Sequence, residues 1–273
     1  MSHTDRVTVP VARSLEEIGD RLLHPTGFHP PVITAVRENI SVLRVAGWLL
    51  PRQRERTTPD PGRVPVLLVP GFLSGDFALA PMADELRRRG HWTSRSGIAP
   101  NLGCTRELAD AVERRLEQTA ERTGRRVAVV GWSRGGTLGK IVTVRRPELV
   151  ASLVTLGTPN TEPLAVNATL AAQLQVITRL SALGVPGLLG DDYLSGECAR
   201  EVRGWLEADV PSGIPYTSVF SLQDGVIDWR ACLDPAARHV EVDATHMSMG
   251  ADPGVIDVVA GLLADIVPAD LAA

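Results

Sequence analysis

The sequence is poor in most features that mark a specialised chain. It holds three cysteines, Cys104, Cys198 and Cys232, in 273 residues. They are too few and too scattered for a disulfide framework or a metal site, so buried thiols are expected. Lys140 is the only lysine among 28 basic residues, an arginine bias that reads as genomic composition and carries no function. Those 28 face 32 acidic residues, a net charge of −4, so there is no overall basic field and nucleic acid is not an expected partner. No run approaches the ~18 apolar residues needed to cross a bilayer. The opening stretch MSHTDRVTVPVARSLEEIGD lacks the apolar centre of a signal peptide. A soluble, cytoplasmic protein is the expectation. No internal repeat is present.

What is present is ordinary globular material, 44% hydrophobic and 22% charged, enough for one large domain or two small ones. Val32, Ile33, Val36, Ile40, Leu43, Gly47 and Leu50 recur at helical spacing, which predicts an amphipathic helix over 31–50, ended by Pro51. It reads as a packed amino-terminal arm; its dense end, VLRVAGWLL, leaves a membrane-surface or dimer contact as the alternative. The Pro-rich stretch 51–63 is a connector, so residues 1–63 are separated from a domain at 64–273.

From residue 64 short apolar runs alternate with helical ones. Strands are expected at 64–70, 91–95, 126–131, 149–157, 217–223 and 239–244. Helices are expected at 78–90, 105–124, 133–146 and 253–267. Such alternation predicts an α/β fold, a mostly parallel sheet flanked by helices. It breaks over about 160–215, where two helical stretches follow each other without a strand. That insert is expected to form a helical cap on the carboxyl edge of the sheet, with Leu170, Leu174, Ile177 and Leu180 as one apolar stripe lining a substrate pocket.

Between the strand at 126–131 and the helix after it lies Gly131-Trp132-Ser133-Arg134-Gly135, a G-x-S-x-G motif in its required strand–turn–helix setting. Such a turn presents the serine hydroxyl at the sheet edge, and flanking side chains would collide there. A serine hydroxyl needs a base, and the base needs a group to orient it. Of six histidines, His246 lies just past a strand end and before a helix, on the same edge as Ser133. Asp224 closes the preceding strand, with Gly225 allowing the turn; Asp228, four residues on, competes with it. An oxyanion hole would take one N–H from Arg134 and one from the Pro70-Gly71 loop, donated by Phe72, with Leu73 as fallback.

The stretches LLVPGFLSGD, VGWSRGG, LVTLGTPN, SLQDGVIDW and ATHMSMGADPGVIDVVAGLLAD span about 64–267. Together they resemble the α/β-hydrolase fold, and within it the bacterial lipase and esterase-like hydrolases. The resemblance implies a carboxylic ester hydrolase working through Ser133, His246 and Asp224, with an acyl-enzyme intermediate and no metal or organic cofactor. Its expected partner is a small ester with an apolar acyl group. Many members of the family have His-Gly where this chain has Pro70-Gly71, and an apolar residue at Arg134, whose side chain would either restrict the pocket or pair with an acid in the cap. An acyltransferase with the same triad is one rival reading. A catalytically silent hydrolase fold used as a binding module is another.

Overall fold

The computed structural model describes residue 28 and residues 30–47, 57–162, 165–189 and 197–266. Six strands form one sheet: β1 (Val66–Val69), β2 (Thr93–Arg95), β3 (Val127–Trp132), β4 (Val150–Leu156), β5 (Tyr216–Phe220) and β6 (Arg238–Glu241). All neighbours pair in parallel, in the order β2-β1-β3-β4-β5-β6. Among the described residues seven α-helices accompany them: α1 (Val32–Gly47), α2 (Ala80–Arg88), α3 (Thr105–Thr123), α4 (Arg134–Arg145), α5 (Ala168–Ala182), α6 (Glu197–Glu207) and α7 (Pro253–Ala264). Among the described residues no helix is long and apolar enough to cross a membrane.

The strands β1, β3 and β4 are buried along their whole length, as their unbroken apolar runs require when helices cover both faces. Alternate residues feed two cores. Val66, Leu68, Ala128 and Val130 pack with α2 and α7, while Leu67, Val69, Val127 and Val129 pack with α3, α4 and α6. The winding reverses once. The chain leaves β1 for β2 on one side and crosses back to β3 on the other, so the loops after β1 and β3 diverge at their carboxyl ends. A crevice at such a switch point is where open α/β sheets bind ligands.

Two placements differ from the pattern of the sequence. The single lysine is not on the surface: Lys140 is buried on α4, its Nζ 2.8 Å from Asp234 Oδ2. The Tyr216 hydroxyl donates to the same oxygen at 3.2 Å, and burial followed by the Asp234 charge raises its pKa. Among the described side chains of α1, the buried ones are polar, Thr34, Glu38 and Ser41, whereas Ile33, Val36 and Ile40 are exposed. The physical reason is what α1 rests on. It covers the turns after β5 and β6, whose backbone N–H groups face it and need acceptors. The dense stretch 42–50, which raised the membrane or dimer alternative, lies outside the described side chains.

Candidate active site

Ser133 ends β3 and caps α4 with φ 55° and ψ −128°, a left-handed conformation that costs a non-glycine residue about 1–3 kcal/mol. Hydrogen bonds on both sides of the residue hold it there. Its N–H donates to Leu156 O at 2.8 Å, and the Thr158 hydroxyl donates to Ser133 O at 2.9 Å. The flanking glycines are needed for space: a Cβ at Gly131 would lie 2.4 Å from Gly135 O, and one at Gly135 would lie 2.1 Å from Val69 O. The turn is thereby wedged between β1 and α4.

Asp224 follows β5 and His246 follows β6; both are buried. His246 Nδ1 and Asp224 Oδ2 are 2.7 Å apart. The other oxygen, Oδ1, accepts the N–H groups of Val226 and Ile227 at 2.9 and 2.7 Å. These bonds fix the carboxylate with one edge toward its own turn and one toward the imidazole. Asp228, the competing carboxylate, caps a short 3₁₀ turn by accepting Arg230 N–H at 3.0 Å. The Trp132 indole N–H donates to His246 O at 3.1 Å, and the two rings lie 5.7 Å apart, so His246 is tied to the residue preceding Ser133. Gly157, at φ 53°, closes the cluster: a Cβ there would lie 3.0 Å from His246 Nδ1 and 3.1 Å from Asp224 Oδ2.

Burial pushes the His246 pKa down, but the Asp224 charge, its hydrogen bond and then the Glu38 charge outweigh this, and the net displacement is upward. Asp224 and Glu38 thus favour the imidazolium.

The loop after β1 passes beside Ser133; a Cβ on Gly71 would lie 3.1 Å from Ser133 Cβ. Leu73 has φ 59° and its N–H donates to Asn101 O at 3.2 Å, which leaves Phe72 as the better-placed donor of the two weighed for this loop. Asn101 carries no signal in the sequence, yet it organises the loop. Its side-chain amide donates to Pro70 O at 2.8 Å and its N–H to Ser74 O at 2.8 Å. The Arg134 guanidinium in turn donates to Asn101 Oδ1 at 2.9 Å, Gly103 O at 2.8 Å and Thr105 Oγ1 at 2.9 Å. Its side chain therefore reaches the 101–105 loop, and it also borders the pocket.

That pocket is a narrow cleft of about 60 Å³ beside Ser133, walled by Phe72, Pro159, Val166, Leu189 and Ile227 among others. The stripe expected on α5 divides. Leu170 and Leu174 face the cleft, Ile177 is buried against Leu174 and Leu189, and Leu180 is exposed. Cys232 is buried as a free thiol, and Cys104 is half-buried. Among the described residues no cluster of three or more His, Cys, Asp or Glu side chains is arranged to hold a metal ion.

This parallel sheet, with a strained serine turn after β3 and acid and histidine turns after β5 and β6, is the α/β-hydrolase fold. The structure resembles the mature lipase BlEst2 of Bacillus licheniformis with a TM-score of 0.59 and 17% identity, over 77% of this chain and 96% of that one. It resembles a monoacylglycerol lipase of Paleococcus ferrophilus with a TM-score of 0.53 and 15% identity, over 76% of this chain and 95% of that one. An extracellular α/β-hydrolase from a Paenibacillus species matches with a TM-score of 0.50 and 13% identity, over 75% of this chain and 99% of that one. No protein-family model and no curated protein sequence matches the chain.

Proposed function

We propose that the protein is a serine hydrolase of carboxylic esters. Ser133 Oγ attacks the ester carbonyl while His246 takes its proton, and Asp224 holds the imidazole in the tautomer that leaves Nε2 free to do so. The N–H groups of Phe72 and Arg134 receive the oxyanion. His246 then gives its proton to the departing alcohol. A water molecule, deprotonated by the same imidazole, releases the acid from the acyl-enzyme. The observation that carries the reading is the 2.7 Å pair of Asp224 and His246 packed against the strained Ser133 turn. A satisfied structural histidine would not require a neighbouring residue to be held at positive φ. Lipases among the structural neighbours are consistent with the same chemistry.

The substrate class follows from the walls of the cleft. Leu170, Leu174, Leu189, Val166 and Ile227 suit an apolar acyl group. We read the segment at about 160–215, which carries α5 and α6, as a helical cap on the domain at 64–273, and α5 as one wall of the cleft.

The test is covalent labelling with a fluorophosphonate, followed by an ester panel graded by acyl length. The wild type should be labelled on Ser133 and should release free acid. Ser133→Ala should lose labelling and about 10⁴-fold or more of turnover. Turnover that survives this substitution refutes the serine mechanism. New ester formed from added alcohol in place of free acid would assign acyl transfer instead.

A further inference from the structure

Glu38 lies on the arm helix α1, outside the stretch that carries the α/β-hydrolase resemblance. Its side chain is only 7% exposed, an expensive place for a carboxylate unless the site compensates it. The compensation is specific. Glu38 Oε1 accepts the N–H of Gly225 at 2.9 Å and the N–H of His246 at 2.7 Å, and Oε2 accepts the N–H of Met247 at 2.9 Å. Gly225 follows Asp224 directly. One carboxylate therefore bridges the turn that carries the acid and the turn that carries the base.

The surrounding contacts have the same orientation. A Cβ on Gly225 would lie 2.9 Å from Glu38 Cγ and 3.0 Å from Thr34 Cγ2, so the helix approaches as closely as a glycine allows. The Thr245 hydroxyl donates to Ser41 Oγ at 2.8 Å, and Arg37 donates to Gln223 Oε1 at 2.9 Å. Thus α1 meets both turns along a line of polar contacts, with Glu38 at its centre.

We infer that Glu38 is a positioning residue for the reaction: through three backbone N–H groups it holds the Asp224 turn and the His246 turn in fixed relation, and it makes the amino-terminal arm part of the active site. The inference rests on the serine-hydrolase reading for its effect on rate, and on geometry alone for its effect on the Asp224–His246 pair. The two turns are also joined by the Asp224–His246 bond and by the Ala244 N–H donating to Ser221 Oγ at 3.4 Å, so losing the Glu38 bridge loosens their relation, and a misplacement of ~1 Å in such a pair costs about 10²-fold in rate. The charged groups acting on His246 are Asp224 from the β5 turn and Glu38 from α1. Trp132 from β3 and Gly157 from the β4 turn, which also border it, are uncharged. Removing the Glu38 charge deletes one of the two influences that favour the imidazolium, so the His246 titration must move to lower pH.

The experiment compares the full-length wild type with Glu38→Gln, which keeps the volume and removes the charge. His246 is titrated by NMR, and the rate of fluorophosphonate labelling of Ser133 is measured against pH. The expected result is a folded variant labelled about 10- to 100-fold more slowly, with kcat reduced more than KM is changed and the His246 midpoint moved to lower pH. A folded variant with wild-type titration and labelling overturns the inference. Gly225→Ala displaces the Glu38 carboxylate without deleting it and should also slow labelling; unchanged labelling there overturns the inference even if Glu38→Gln does not fold. If the wild type is not labelled at all, the serine-hydrolase reading fails. The His246 Nδ1 proton signal then decides whether Glu38 holds the pair: a signal shifted or weakened in Glu38→Gln supports the inference, and an unchanged one overturns it.

Discussion

Replacing Asp224 by asparagine changes one oxygen to an amide nitrogen, and the structure dictates which. Oδ1 accepts two backbone N–H groups, from Val226 and Ile227. Turning the amide nitrogen toward them would set donor against donor and lose both bonds, at about 0.5–1.5 kcal/mol each. The amide nitrogen must therefore take the Oδ2 position, 2.7 Å from His246 Nδ1. There it donates, so Nδ1 must accept, and the imidazole proton moves to Nε2. An imidazole protonated at Nε2 cannot take the Ser133 proton. In serine triads this tautomer error costs ~10⁴-fold in kcat, and at 1.36 kcal/mol per tenfold that is about 5.4 kcal/mol of transition-state stabilisation. The assay is hydrolysis of a chromogenic ester with active protein counted by melting, and the tautomer is read from imidazole nitrogen shifts. Asp228→Asn is the control, because Asp228 accepts only from its own 3₁₀ turn and Arg230. An Asp224→Asn enzyme within tenfold of the wild type, or a larger loss in Asp228→Asn, refutes the reasoning.

The pH dependence has a definite sign. The His246 pKa is displaced upward despite burial, by Asp224 and then Glu38, so the imidazole stays protonated above the ~6.5 of an ordinary histidine and the rising limb of kcat/KM should lie above that value. A limb at or below it, with chemistry rate-limiting, contradicts the charge arrangement. Leu174→Ala should open the cleft. Each buried methylene is worth ~0.8 kcal/mol, so preference should move toward longer acyl chains by a few-fold per added carbon, with Leu180→Ala as the exposed control. An unchanged chain-length profile with a lowered melting temperature would make Leu174 a packing residue only.

Sequence alone determined the sheet because its signals are local. An apolar run such as VLLV or VAVVGW is buried whatever lies beside it, and the helices between the strands force parallel pairing. The elbow was legible for the same reason. Gly131 and Gly135 are required by the backbone within a few residues of Ser133, so the constraint is written where it acts. Asp224 and His246 could be proposed because strand ends in a parallel sheet share one edge, and that fixes their side of the molecule.

What only the tertiary structure decided was which of several local options meets a distant partner. Asp224 and Asp228 are equally good turn residues; only the direction of each side chain shows that one meets His246 and the other caps its own turn. Asn101 and Arg134 become a brace because a loop and a helix end come together across 33 positions of chain. The apolar spacing of α1 suggests a helix that buries an apolar face, yet among its described side chains the buried ones are Glu38, Thr34 and Ser41. Hydropathy measures the side chain, whereas the surface that receives α1 is a set of backbone N–H groups, which every residue but proline carries and no sequence pattern displays.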